Sequence, residues 1–193
     1  WMDSARNALG RIGNGRRVIL YDAHLDTNEV ADASEWPHPP LEPVIEHGAM
    51  WGLGASDCKG GVAAIVYGAA ILKQLALAGD FTLLVMGATL EEDAEGFALR
   101  SLVERDGVRL DTGLLAEATD LTLLRRQRGR CEIRVRTTGK AAHASTPPLG
   151  ENATLKMLPV VAALETMNAS LPTHPIFGKG TQVVSLIEGP HTP

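Results

Sequence analysis

Acidic side chains and one histidine lie at the ends of the apolar runs of this 193-residue chain, and their chemistry suits a divalent metal site. They are His24 and Asp26 in AHLDT, Asp57 in SDCKGG, Glu91 and Glu92 in TLEED, and Glu117 in LLAEAT. Zinc binds both imidazole nitrogen and carboxylate oxygen. A single zinc ion uses about four ligands, so the surplus of acids predicts two metals that share a bridging carboxylate.

The adjacent glutamates Glu91 and Glu92 follow the apolar run 81–88. Neighbouring carboxylates repel each other and are costly to desolvate, so either water or a cation must cover them. In a metal site, one of the pair would bind a metal and the other would act as general base toward water. Asp26, two residues after His24, is spaced to accept a hydrogen bond from the imidazole.

Each of these residues also has a simpler interpretation. Taken alone, His24 would be a surface loop histidine, and Asp57 would be an acid that opens a helix. Glu91 and Glu92 would form a solvated helix start, and Glu117 alone indicates almost nothing. The metal interpretation is favoured because these residues fall at equivalent ends of one predicted sheet.

The elements that must position these residues alternate along the first part of the chain. The pattern predicts strands at 17–22, 81–89 and 114–116 and helices at 60–77 and 94–105. This order indicates an α/β layer with parallel strands, in which ligands bind beyond the carboxyl ends of the strands. The first helix is apolar on nearly every face, which predicts that it is buried.

The pattern changes after residue 123. A segment with period-two alternation predicts an antiparallel sheet with one wet face, and a helix and a further strand follow it. The predicted elements are a strand at 131–137, a helix at 152–168 and a strand at 181–188. Pro159 should kink or break the helix. We therefore predict two domains, residues 1–123 and a smaller α+β domain at 124–193.

Composition excludes several other functions. The net charge of −5 and the single short basic run at 125–130 give little support for nucleic-acid binding. The two cysteines, Cys58 and Cys131, form neither a disulfide framework nor a zinc ribbon, which favours a cytoplasmic location. No stretch is expected to reach the length of a membrane span. Cys58 is interpreted as a packed small residue, with a reactive thiol as the alternative.

Five segments carry a family resemblance. AHLDT, GLGASDCKGGVAA, TLEEDAEG, LLAEAT and GKAAHAS resemble, in this order, motifs of the aminoacylase / acetylornithine deacetylase / succinyl-diaminopimelate desuccinylase family of dinuclear zinc hydrolases. GASDCKGG, RGRCEIRV and FGKGTQVVS are similar to its selenium-metabolism-linked hydrolase branch. The resemblance implies a phosphorylase/hydrolase-like catalytic domain with a mostly parallel sheet at 1–123. It also implies an inserted antiparallel lid domain at 124–193 that forms a homodimer.

The same resemblance implies the ligands of two divalent metals. His24 and Glu117 would hold one metal together with Asp57, which bridges to the second. Glu92 would hold the second metal. Zinc is the expected metal, and cobalt or manganese are the alternatives.

The catalytic roles also follow from the resemblance. Glu91 would take a proton from the attacking water and carry it to the leaving nitrogen, and Asp26 would orient His24. His143, in GKAAHAS, would reach the active site of the partner subunit and stabilise the oxyanion. The implied substrate is an N-acyl amino acid or a short peptide.

The chain also departs from the family pattern. The last metal ligand, a late histidine, has no counterpart, and EAT follows where EPT or EPS is commoner. Both domains are therefore expected to be truncated, and the chain alone should bind one metal and be inactive. Two alternatives stay open, namely a non-catalytic binding or assembly protein with the hydrolase fold and a mononuclear metal enzyme.

Overall fold

The computed structural model describes residues 1–76 and 79–189, and it forms two compact units, Trp1–Leu123 and Leu124–Pro193. The strands of the first unit are β1 (Ala8–Ile12), β2 (Arg17–His24), β3 (Val44–Glu46), β4 (Ala49–Trp51), β5 (Phe81–Ala88) and β6 (Thr112–Leu115). Its α-helices are α1 (Gly60–Gln74) and α2 (Phe97–Glu104).

The first unit contains a mostly parallel sheet with the strand order β1-β5-β2-β6. β2 runs parallel to both β5 and β6, while β1 lies antiparallel to β5 at one edge. β3 and β4 form a separate short hairpin. The prediction of a parallel α/β layer is therefore confirmed.

Alternate residues of the strands supply two hydrophobic cores, because successive side chains point to opposite faces of a sheet. On one face, Leu20 and Met86 pack with Leu102 of α2. On the other face, Ala23 packs with Ile65 of α1. The two helices thus cover opposite faces of the sheet.

The strand register brings the predicted site residues to one edge of the sheet. His24, the last residue of β2, pairs with Ala88, the last residue of β5. Asp22 pairs with Leu115, at the end of β6. The segments that carry Glu91, Glu92 and Glu117 therefore leave the sheet at its carboxyl edge, next to His24.

The prediction that the first helix is buried is wrong. Within α1, only Ile65 and Ala69 are buried, and the side chain of Tyr67 is 73% exposed. Within the first unit, the helix packs against β2 and β5. Residue 77, the end of the predicted helix, lies outside the described residues.

The expectation that no stretch reaches membrane-span length is also corrected. The run Ala55–Gln74 has 20 residues and a mean hydropathy of 1.2, so length and composition alone would allow it to cross a membrane. Core helices of soluble proteins meet the same criterion. This run begins beside Asp57 and packs on the sheet through Ile65 and Ala69.

The second unit is built around the helix α3 (Ala153–Ser170). The side chain of Asn152 caps its first turn by accepting a hydrogen bond from the main-chain N–H of Leu155 at 3.1 Å. The helix continues through Pro159, so the predicted break does not occur. Two short strands, β7 (Thr173–His174) and β8 (Gly178–Lys179), form an antiparallel pair after it.

The strands predicted at 131–137 and 181–188 do not form in the described part of the second unit. Ile133 and Val183, which the alternation places on apolar faces, are 81% and 80% exposed. An alternating segment becomes a strand only when a neighbouring strand bonds its edge and another layer covers its apolar face. No described residue of this unit supplies those partners.

Candidate metal centre

His24 is the most enclosed member of the site, with 2% of its surface exposed. Its Nδ1 lies 3.0 Å from the main-chain oxygen of Asp26. A carbonyl oxygen only accepts hydrogen bonds, so Nδ1 carries a hydrogen and Nε2 points to the site. The carboxylate of Asp26 lies farther away, at 3.6 Å from Nδ1, so Asp26 contacts the imidazole chiefly through its main chain.

The contact between His24 and Asp57 requires a positive charge. Nε2 of His24 lies 2.7 Å from Oδ1 of Asp57. With Nδ1 already protonated, this contact needs either a second proton or a cation, because a lone pair would otherwise face a carboxylate. Burial lowers the pKa of His24, but the hydrogen bonds to Asp57 and Asp26 outweigh it and raise that pKa above its ordinary value.

The predicted metal ligands lie around His24 in two groups. In the first group, donor atoms of His24, Asp57, Cys58 and Glu117 lie within 4.8 Å of one another. In the second group, donor atoms of His24, Glu91 and Glu92 lie within the same distance of one another. Residues from four separate segments therefore meet at the carboxyl edge of the sheet. Imidazole nitrogen with carboxylate oxygen is a donor set that suits zinc.

The negative charge of this region is partly desolvated. Burial, followed by repulsion from Glu117, raises the pKa of Asp22 to about 6. Burial also raises the pKa of Glu91, and repulsion from Glu117 and Glu92 adds to it. Oδ1 of Asp22 is buried and accepts no hydrogen bond from any described residue. Crowded and partly desolvated carboxylates of this kind fit the charge of divalent cations.

Asp22 was missed by the sequence analysis, although a signal was available. It precedes His24 by two positions on β2, so its side chain lies on the same face of the strand. An acid at such a position, in a run that otherwise fills a core, indicates that the buried face of the strand becomes polar near its end.

We expect the charge on Asp22 to destabilise the metal-free protein at neutral pH. The folded chain protonates this group below about pH 6, whereas the unfolded chain does so below about 3.8. The folded state therefore binds more protons between these values, and the free energy of unfolding falls as the pH rises through that window. The difference between the folded and unfolded pKa values corresponds to at most about 3 kcal/mol in the free energy of unfolding.

Denaturant unfolding of metal-free Asp22→Asn and wild-type protein would check this. The variant should be more stable than wild type at pH 7, and the difference should shrink near pH 4. Two outcomes would contradict burial of the Asp22 charge as the cause. In one, the variant exceeds wild type in stability by the same amount at both pH values. In the other, it is less stable than wild type at both.

The segment that carries Asp57 packs closely on the segment that carries Glu117. Asp57 is not helical (φ −119°, ψ 96°), so it does not simply open α1, and its peptide bond to Cys58 is cis. The thiol of Cys58 donates a hydrogen bond to the main-chain oxygen of Ala116 at 2.7 Å. A Cβ atom on Gly61 would lie 2.2 Å from the same oxygen, so only glycine allows this approach.

The two cysteines should differ strongly in reactivity. Cys58 is fully buried, and burial followed by repulsion from Glu117 raises the pKa of its thiol to about 11. Cys131 is exposed. Because the thiolate is the reactive form, a disulfide reagent at pH 8 should modify Cys131 rapidly and Cys58 only on unfolding. A rapid phase that persists in Cys131→Ser but disappears in Cys58→Ser would contradict this.

The turn after β5 places the glutamate pair. Leu90 has a left-handed backbone (φ 59°), which is uncommon for a bulky residue and often marks a functional turn. The main-chain N–H of Glu92 donates to Oδ2 of Asp26 at 3.1 Å. The side chain of Asn28, which the sequence analysis did not single out, donates to Oε2 of Glu92 at 2.7 Å.

His143 belongs to the second unit. The main-chain N–H of Ser145 donates to Nδ1 of His143 at 3.1 Å, and the Ser145 hydroxyl lies 2.7 Å from the same atom. Nδ1 therefore acts as an acceptor, and a neutral imidazole carries its hydrogen on Nε2. In that tautomer His143 can donate a hydrogen bond through Nε2.

Comparison with known proteins gives a family match. The model of a family described as Peptidase family M20/M25/M40 matches residues 20–178. The chain is 38% identical over 186 residues to the uncharacterized protein YgeY of Escherichia coli (strain K12), covering 96% of this chain and 46% of that protein.

The chain is also 32% identical to a probable succinyl-diaminopimelate desuccinylase of Staphylococcus epidermidis (strain ATCC 35984 / DSM 28319 / BCRC 17069 / CCUG 31568 / BM 3577 / RP62A), covering 78% of this chain and 37% of that protein. The chain thus spans less than half the length of these relatives. In fold, it is similar to the M20 family metallo-carboxypeptidase Sso-CP2 of Sulfolobus solfataricus, with a TM-score of 0.58 at 20% identity over 82% of this chain and 38% of the other.

Proposed function

The chain belongs to peptidase family M20/M25/M40, and from this premise we propose that the full-length protein hydrolyses an amide or peptide bond. The proposed substrate is an N-acyl amino acid or a short peptide. One observation carries the proposal. Donor atoms of His24 lie close to those of Asp57 and Glu117, and they also lie close to those of Glu91 and Glu92. The name of the desuccinylase relative supports the N-acyl class.

The donor set around His24 fits divalent metals, and we propose two of them. One metal would be held by His24, Glu117 and Asp57. Asp57 would also bind the second metal, together with Glu92. Zinc is the first choice, and cobalt or manganese are the alternatives. Such metals supply Lewis acidity for the scissile carbonyl and lower the pKa of water.

Glu91 is the proposed base. Its pKa is raised by burial and by neighbouring carboxylates, which moves it toward neutrality and improves it as a proton acceptor. Its carboxylate takes a proton from the water whose oxygen bonds to the carbonyl carbon. When the C–N bond breaks, the same proton passes from Glu91 to the leaving nitrogen.

The second unit supplies the proposed lid and dimer contact. We assign residues 1–123 to the catalytic domain and residues 124–193 to the lid, through which two copies associate. The Nε2–H of His143, left available by the contacts of Nδ1, is the proposed donor to the oxyanion in the partner subunit. A cytoplasmic location, without nucleic-acid or membrane partners, stays a prediction.

The direct test is turnover by the full-length protein. The protein would be stripped of metal, reloaded with zinc, cobalt or manganese, and assayed for amine release from N-acyl amino acids and dipeptides. Metal-dependent turnover of at least one substrate is expected, and chelator should abolish it. Metal binding without turnover across the panel would contradict the proposal and favour a binding protein that keeps the hydrolase fold.

A further inference from the structure

The loop that follows β2 contacts Glu92 at two points. Oδ2 of Asp26 accepts a hydrogen bond from the main-chain N–H of Glu92 at 3.1 Å. Nδ2 of Asn28 donates a hydrogen bond to Oε2 of Glu92 at 2.7 Å. The same loop begins at His24, so the chain that carries the histidine also contacts the main chain and the side chain of Glu92.

The two contacts restrict different motions. The main-chain bond to Asp26 fixes where residue 92 lies after the left-handed turn at Leu90. It leaves the terminal torsion of the glutamate side chain open, and that torsion has a broad energy minimum. The bond from Asn28 restricts this last rotation, because it ties one named oxygen of the carboxylate to the loop.

An amide is well suited to this position. The region already holds other carboxylates, because donor atoms of Glu91 and Glu92 lie within 4.8 Å of the same His24 side chain that Glu117 approaches. A carboxylate in place of Asn28 would add repulsion, and an ammonium group would compete with a bound cation. The neutral amide N–H orients the Glu92 carboxylate without changing the net charge, and a carboxylate keeps further lone pairs for a metal.

We propose that Asn28 is a positioning residue that holds the Glu92 carboxylate in the orientation needed to bind a divalent metal together with His24. This inference rests on the proposed function, in which Glu92 is a ligand of the second metal. It predicts a defined effect on metal affinity, because partners that orient metal ligands typically contribute about 10–100-fold to affinity or activity.

The test compares variants of the full-length protein. Asn28→Leu keeps the approximate shape of the side chain but removes the N–H that donates to Glu92. Asn28→Gln keeps an amide donor, and the exposed loop position leaves room for the longer side chain. Glu29→Gln, at the next exposed position, is the matched control. Zinc affinity and stoichiometry would be measured by competition with a chromophoric chelator, and thermal unfolding of the metal-free proteins would test for a general loss of stability.

The expected result is that Asn28→Leu binds its second zinc ion about 10-fold or more weakly than wild type. Asn28→Gln should recover part of that loss, Glu29→Gln should match wild type, and the metal-free proteins should unfold at the same temperature. Steady-state activity of Asn28→Leu should recover as the zinc concentration is raised.

Wild-type affinity for both zinc ions in Asn28→Leu would overturn the proposal, and so would equal weakening in Asn28→Leu and Asn28→Gln. The proposed function fails by a different outcome. A wild-type protein that binds zinc but cleaves no amide would contradict the hydrolase assignment, while the zinc affinities would still decide the role of Asn28.

Discussion

Replacing Glu91 by glutamine in the full-length protein should lower kcat by about 10²–10⁴-fold while leaving the metal content unchanged. The amide of glutamine cannot take a proton from water, but it keeps the size and polarity of the side chain. The loss of activity should be separable from the loss of metal, because Glu92 contributes a carboxylate of its own beside His24. The measurement is steady-state kinetics together with metal analysis of the same samples.

The matched control is Asp93→Asn, which neutralises an exposed carboxylate of the same turn. It should leave kcat within about twofold of wild type, since exposed charges outside a site contribute little. If Glu91→Gln kept its activity, Glu91 would be excluded as the base. If it lost metal and activity together, Glu91 would instead be a ligand.

The positions of the site residues in the sheet were predictable from the sequence because parallel strands share one carboxyl edge. Once 17–22 and 81–89 were recognised as parallel strands, His24 and Glu91 were expected at the same edge of the sheet. The pairing of β2 with β5 brings them close together. The roles assigned to individual acids came from the family resemblance instead. Spacing alone left open which glutamate of the pair binds a metal and which acts as base.

The contacts that orient the ligands were not predictable in the same way. Asn28 bonds Glu92 across 64 positions of sequence, and Cys58 bonds Ala116 across 58 positions. Such contacts depend on how loops turn after the strands, including the left-handed conformation of Leu90, which no periodicity indicates. Nothing in the sequence alone therefore singles out Asn28.

The wrong predictions about the burial of α1 and the strand at 131–137 share a physical cause. The apolar faces of α1 and the alternation at 131–137 were interpreted as if partners for those faces were present. Tyr67 and Ile133 are exposed because no described residue packs over them in their own units. Periodicity indicates which face of an element is apolar, but burial also depends on a second surface that local sequence does not specify.

Replacing Asp57 by asparagine should weaken zinc binding by more than about 100-fold, since a direct ligand contributes more than the residues that orient it. Oδ1 of Asp57 lies 2.7 Å from Nε2 of His24, and Asp57 is the proposed bridge between the two metals. Removing its charge should therefore weaken both metal sites, unlike Asn28→Leu, which should weaken one. Zinc competition titrations with the full-length variant would measure this, together with loss of turnover at limiting zinc.

The metal-free protein offers a second readout of the same substitution. The hydrogen bond to Asp57 helps to raise the pKa of His24, so that pKa should fall in Asp57→Asn and the imidazolium should lose its proton at lower pH. Proton NMR of the imidazole would follow the titration of His24. Asp120→Asn is a suitable control, because Asp120 is exposed and asparagine tolerates its left-handed backbone (φ 50°). An Asp57→Asn protein with wild-type zinc affinity and an unchanged His24 pKa would show that the pair does not form the centre of the site. The acids around it would then have to be explained as a solvated cluster.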